Sequence, residues 1–281
     1  HALDTDEVEW LVREYGESAG IALAAGADAI EIHANHDDVV QWFLSPLTNL
    51  RTDRYGGSYE NRTRLLREIL AAIRASTARP FTLGIRLCMD EMIDGGYGFD
   101  ECLRFVETFT TDGMVDYFSL DVGSNWGAPS YVQVGWHDDA EWAPLCGEAK
   151  RATHLPVVYG GRVNSPEQAE AIIAAGQADL VAIVRGTMAD QAFAAKARGL
   201  DLTPLRPCIG LNECINRKQV ESLPYACGVN PTWAREYELR YLPERTSSPK
   251  SVLVVGAGPA GSELAALCAE QGHRVQLWDR N

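Results

Sequence analysis

Two regularities predict an α/β architecture built on a parallel sheet. Short, apolar, β-branched runs alternate with longer stretches of helical periodicity, and polar or glycine-containing sequences follow the ends of those runs. A third observation is a glycine-rich turn between two further strands near the C-terminus, which predicts a separate βαβ unit. The 281 residues are 46% apolar and 23% charged, enough for one large folded unit or two smaller ones.

The first helix is expected from Asp6 to Ala25, with Val8, Leu11, Val12, Tyr15 and Ala19 on one face and Gly26 closing it. The first strand, Asp28 to His33, leads into a long loop and then a helix from Tyr59 to Ala75, striped by Leu65, Leu66, Ile69, Leu70 and Ile73. Further strands are expected at Thr82–Leu87, Tyr117–Val122, Pro156–Gly160 and Leu180–Val184. The helices between and after them are expected at Phe99–Thr110, Ala140–Ala152, Pro166–Ala175 and Asp190–Arg198. Five strands alternating with helices make the last five strands of a TIM (β/α)8 barrel, three short of its eight. Three strand–helix units are therefore expected before His1, and the chain, which opens on His rather than Met, is expected to be a piece of a longer protein. Unpaired strand edges would make such a piece fold poorly alone.

The expected division is a partial barrel over residues 1–205, a cysteine-containing segment with a linker over 206–248, and the start of a Rossmann-like domain over 249–281. The linker contains Pro243, Ser247, Ser248 and Pro249. The strand Ser251–Val255 then runs into Gly256-Ala257-Gly258-Pro259-Ala260-Gly261, followed by a helix and a strand ending at Asp279. Glycines permit the tight turn and the close approach of a pyrophosphate, and the acid suits a ribose hydroxyl.

The net charge of −14 argues against nucleic acid or an anionic membrane surface as partner. No apolar run is long enough to span a bilayer. Seven unevenly placed cysteines do not resemble a secreted disulfide framework, so a cytoplasmic setting is expected.

Candidate chemistry sits at the C-terminal ends of the strands, where βα-loops form the mouth of such a barrel. His33 ends the first strand and His36 follows, with Asp37 and Asp38 next to it. Arg86 lies within a strand, where a buried guanidinium needs an anion or a polar ligand, and a salt bridge inside the barrel is the alternative. Gly160-Gly161-Arg162 and Arg185-Gly186 follow the last two strands, the usual place for a phosphate. Trp126 follows the third strand.

The stretch EIHANH followed by FLSPLTNLRTDRYGGSYENR resembles the Old Yellow Enzyme superfamily of FMN-dependent oxidoreductases. It is most similar to the long, multi-domain branch that includes 2,4-dienoyl-CoA reductase and trimethylamine dehydrogenase. The resemblance implies that His33 and His36 hydrogen-bond a small-molecule substrate above the flavin, with two ordinary structural histidines as the plain alternative. It implies that Arg86 faces the flavin pyrimidine edge, that Gly160, Gly161, Arg162 and Arg185 hold the FMN phosphate, and that Gly256, Gly258, Gly261 and Asp279 hold FAD or ADP. Trp126 matches a tryptophan of an aromatic bowl for a methylated ammonium, by cation–π attraction, or else packs on the barrel rim.

Two departures from the pattern shape the expected reaction. Asp38 stands where many relatives carry a proton-donating tyrosine, and an aspartate suits a cationic amine better than it suits protonating an alkene. Cys208, Cys214 and Cys227 match three ligands of a [4Fe–4S] cluster, with Leu211 in the fourth position. An iron–sulfur centre of modified ligation is expected there. A [3Fe–4S] form, a zinc site and no cluster are the alternatives. The leading expectation is amine oxidation through FMN, with electrons relayed through the cluster and nucleotide domain to a partner. An NAD(P)H-dependent ene reductase is the second, and a non-redox phosphate-binding barrel or inactive remnant the third. A homo-oligomer stays open.

Overall fold

The computed structural model describes residues 2–77, 81–239 and 245–280, in two compact units, His1–Pro231 and Thr232–Asn281. Pro243 of the expected linker lies outside the described residues.

The first unit opens with α1 (Thr5–Ala24), started by a capping box in which Asp4 accepts from the Glu7 N–H and Glu7 accepts from the Asp4 N–H. Then come β1 (Ala29–Ala34), α2 (Val39–Leu44), α3 (Tyr59–Thr77), β2 (Thr82–Cys88), α4 (Phe99–Asp112) and β3 (Tyr117–Asp121). They are followed by α5 (Ala143–Arg151), β4 (Val157–Gly160), α6 (Pro166–Ala174), β5 (Leu180–Ala182), α7 (Arg185–Ala189), α8 (Phe193–Ala197) and α9 (Glu213–Gln219). The second unit holds α10 (Glu236–Leu239), β6 (Ser251–Val255), α11 (Pro259–Glu270) and β7 (Arg274–Trp278).

Strands β1 to β5 form one parallel sheet in sequence order, an arc of a β/α barrel. Period-two alternation divides its faces. Ile32, Ala34, Leu83, Ile85, Leu87, Phe118, Leu120, Val157 and Tyr159 are buried in the core. Their alternates, among them His33, Arg86, Ser119 and Asp121, take the other face. The register sets His33 beside Arg86 and Arg86 beside Ser119. One row of polar side chains therefore crosses three strands near their C-terminal ends.

Two local expectations change. The loop after β1 contains α2, whose Val40, Phe43 and Leu44 are buried. Its six residues carry a helical apolar spacing too short to stand out from the loop around it. The expected helix Asp190–Arg198 is shorter, α8 alone, and a further short helix, α7, precedes it. The chain breaks at Asp190, whose carboxylate accepts from the Ala192 N–H, the Arg206 N–H and Lys196 Nζ. An aspartate that captures nearby backbone donors competes with the helix for them.

Candidate active site

The site grows from the end of β1. His36 and Asp37 both have positive φ, 56° and 60°, a strained region for residues other than glycine. This turn brings the His36 imidazole to Asp121 at the end of β3, with Nε2 3.0 Å from Oδ2. Asp121 is 6% exposed. It also accepts from Arg86, whose Nε and Nη2 lie 3.1 and 2.5 Å from Oδ2, and from the Asn35 side chain. A carboxylate buried this deeply requires such partners. Tyr131 stacks on His36 with ring centroids 4.0 Å apart.

His33 lies edge-on to His36 at 4.9 Å, and its Nε2 is 3.1 Å from Asp38 Oδ2. Burial draws the His33 pKa below its ordinary 6.5, and neighbouring His36 and Arg86 add to this against the pull of Asp38 and Asp121. Asp37 accepts from the Asn125 N–H at 2.5 Å, and Asn125 Nδ2 donates to the His36 carbonyl at 3.0 Å. Asn125 thus ties the β3 loop to the histidine turn. Trp126, next on that loop, is 75% exposed.

A cavity of about 330 Å³ lies beside His36, lined by Arg86, Gln133, Gly160, Gly161, Arg162 and Arg185 among others. Arg162 is already committed. Its Nε meets Asp139 Oδ1 at 2.6 Å and its Nη1 donates to the Val134 carbonyl. Asp139 also accepts from Asn164 and Gln168. Arg185 differs. Its Nη1 donates to the Gln133 carbonyl at 2.6 Å and to Asn212 Oδ1 at 2.7 Å, both neutral. Among the described residues it forms no ion pair with a carboxylate, and burial pulls its pKa below the usual arginine value. Gln133, in the same cavity, keeps a buried Oε1 with no donor. A Cβ on Gly161 would lie 2.5 Å from the Tyr159 hydroxyl, so any side chain there would force the buried Tyr159 to shift.

This chemistry fits a flavin mononucleotide. Its phosphate would supply the anion that Arg185 lacks, and its ring system would bring a donor N–H to the unpartnered Gln133 Oε1.

The cysteine segment fits its expected cluster less well. Cys208, Cys214 and Cys227 are partly buried free thiols, and among the described residues no three metal-ligating side chains gather into a group. Leu211 stands in the fourth ligand position, 56% exposed and packed against Gly228. Burial raises the Cys214 pKa, as do neighbouring Cys208 and Cys227, while Arg185 opposes them. Cys208 and Cys214 therefore share a field with Arg185, and the segment lacks the donor set of an all-cysteine [4Fe–4S] centre.

In the second unit the turn after β6 leads to Gly258, the N-cap of α11. Asp279, after β7, accepts from the Ala257 N–H at 2.5 Å. A Cβ on Gly261 would lie 1.8 Å from the Gly256 carbonyl oxygen, so the turn closes only with glycine there.

A parallel β/α arc carries histidines, a buried carboxylate and a carboxylate-free arginine at one mouth, the C-terminal face where barrels of this kind place their sites. The chain belongs to the NADH:flavin oxidoreductase / NADH oxidase family, which matches residues 1–200. An NAD(P)-binding Rossmann-like domain matches residues 254–281. The NADH oxidase of Thermoanaerobacter brockii is 33% identical over 99% of this chain and 42% of its own length. The dimethylamine dehydrogenase of Hyphomicrobium sp. (strain x) is 34% identical over 99% of this chain and 38% of its own. The structure of a 2-naphthoyl-CoA reductase superposes with a TM-score of 0.90 at 29% identity, over 99% of this chain and 42% of that one. The chain thus spans about two fifths of the length of the relatives it matches.

Asp121, Asn35, Tyr131 and Gln133 were not among the site residues expected from sequence, and the structure brings all four to the mouth. The position of Asp121 at a strand's C-terminal end was the signal that could have found it.

Proposed function

We propose that this chain forms the substrate side and phosphate end of an FMN site in an oxidoreductase that moves hydride between a small organic substrate and flavin. The observation that carries the reading is Arg185, a half-buried cation without a carboxylate partner among the described residues, on the same cavity as Arg86 and His36. Bound FMN would supply the hydride acceptor or donor. Arg86 would meet the flavin ring, and Arg162, Arg185, Gly160 and Gly161 would frame its phosphate. Asp121 holds His36 in one orientation and shares its charge with Arg86.

For the substrate we propose an N-methylated amine. Half-exposed Asp38 offers a negative charge to attract its cation. His33, kept neutral at neutral pH by burial, can accept the proton that an alkylammonium must lose before it can give up hydride. Trp126 would close over the cation. One observation favours a second reading, ene reduction. Tyr131, stacked on His36 at the cavity, carries a phenol that can give the proton Asp38 cannot. Turnover by the full-length protein of dimethylamine and sarcosine against 2-cyclohexenone with NADH decides between them. Faster enone reduction would overturn the amine reading.

The three-part division at residues 205 and 248 remains part of this proposal. So does a nucleotide, FAD or ADP, on Gly256, Gly258, Gly261 and Asp279; FAD bound there would take hydride from NAD(P)H or give electrons to NAD(P)+ or a protein carrier. No step is routed through an iron–sulfur cluster, because Leu211 offers no donor. Anaerobic reconstitution should load a [4Fe–4S] cluster onto Leu211→Cys and not onto the natural sequence. Full loading of the natural sequence would contradict this.

A further inference from the structure

We propose that Glu91, a buried carboxylate on the loop after β2, is a positioning residue that fixes the polarity of the Gln41 side chain and thereby holds the His36–Asp37 turn in place. The proposal rests on the reading that His36 belongs to the substrate site.

Glu91 is 3% exposed and Gln41 fully buried. Glu91 Oε1 accepts from Gln41 Nε2 at 2.8 Å. Its Oε2 accepts from Ser45 Oγ at 2.7 Å and from the Tyr97 N–H at 2.8 Å. Gln41 Oε1 in turn accepts from the Asp37 N–H at 2.7 Å. Three donors converge on Glu91, so the ionised carboxylate, which only accepts, matches its surroundings. Burial pushes its pKa up, and the hydrogen bonds from Ser45, Tyr97 and Gln41 oppose that.

The consequence is directional. An amide has one donating end and one accepting end. An acceptor at Glu91 forces the Gln41 NH2 toward Glu91 and leaves Oε1 for Asp37. A donor at position 91 would reverse the amide and set NH2 against the Asp37 N–H. That N–H belongs to a turn whose two residues both sit at positive φ, so losing its acceptor removes one of the bonds that hold the strain. The ties that stay include the Asp38 N–H to the Asn35 carbonyl at 3.2 Å, the His36 N–H to Asn35 Oδ1 at 2.6 Å, His36 Nε2 to Asp121 at 3.0 Å, and the bonds from Asn125 to the His36 carbonyl and the Asp37 carboxylate. Glu91 lies on a different loop from His36, and the hydrogen bonds that link it to the His36–Asp37 turn pass through Gln41.

The test reads the position of His36 without using flavin chemistry. Ethoxyformylation by diethyl pyrocarbonate is followed residue by residue in the full-length protein by peptide mass spectrometry, with His137 and His154 as internal references. Glu91→Gln should raise the His36 rate about tenfold as the turn relaxes. The exchanged pair Gln41→Glu with Glu91→Gln restores every donor and acceptor, so it should return the rate to within about twofold of the natural sequence. If Glu91→Gln fails to fold, Gln41→Met decides: it removes the Asp37 acceptor and should produce the same rise. An unchanged His36 rate in the folded variant, or an exchanged pair no better than Glu91→Gln alone, overturns the proposal. A colourless full-length protein that still shows the predicted His36 response would sink the flavin reading and leave the role of Glu91 standing.

Discussion

Arg162 and Arg185 follow successive strands, β4 and β5, and read alike in the sequence, yet their surroundings differ. Arg162 is bound to Asp139 and to the Val134 carbonyl, and Asp139 is itself held by Asn164 and Gln168. Arg185 is as firmly placed, but only by neutral oxygens of Gln133 and Asn212. One arginine is a strut and the other still seeks an anion. A residue's place on a barrel rim thus nominates it for ligand binding, and the presence or absence of an internal counter-ion sets how much of its charge is left for the ligand.

The same reasoning applies most strongly to Asp121, a single carboxylate serving three cationic or polar partners, Arg86, His36 and Asn35. Asp121→Asn leaves the shape and removes the charge. Substrate turnover should fall about 100-fold, measured as the rate of flavin reduction or reoxidation. Near-normal turnover would mean that Asp121 only fills space.

The contrast between the two arginines predicts the next effect. Arg185→Met should weaken FMN binding about 10- to 100-fold with little change in melting temperature. Arg162→Met should do the reverse, costing about 1–3 kcal/mol of stability by leaving Asp139 without its cation, with a smaller loss of flavin. Equal flavin losses in the two variants would erase the distinction. Gly261→Ala sharpens it from the second unit, where the constraint is steric. Its Cβ would collide with the Gly256 carbonyl, and nucleotide affinity should drop while FMN binding on the barrel stays unchanged.

The smallest effect concerns pH. The His33 pKa lies below 6.5 because burial disfavours its charged form. Its neutral form is therefore favoured by folding, a contribution present above the ordinary value and lost as pH falls through 6.5 toward the lowered pKa. Asp38→Asn removes an influence that raises the pKa, so the His33 titration followed by NMR should move lower still. An upward move would show that Asp38 does not act on His33 as its position indicates.

Much of this was legible in the sequence because it is local. Strand β6 falls where expected, and β1 to β4 fall within a residue of their expected ends, since alternation and β-branched runs are encoded over a few adjacent residues. The histidines and rim arginines were legible too, as strand-end residues of a long contiguous motif. The pairing of His36 with Asp121, 85 residues apart, was not, because sheet register brings them together and no spacing in the chain announces it. Nor was the Glu91–Gln41–Asp37 relay, which depends on a helix of six residues inside what reads as loop. The internal partner of Arg86 was not legible for the same reason. Its internal carboxylate lies on the neighbouring strand.

The central claim is that the mouth of this arc holds flavin phosphate through Arg185. Titrating apo full-length protein with FMN, and following the quenching of flavin fluorescence, tests it directly. The account predicts one tightly bound FMN per chain, with the quenching curve shifted to about 10- to 100-fold higher FMN in Arg185→Met. An unquenched titration, or a natural protein and Arg185→Met that bind FMN equally well, would contradict it.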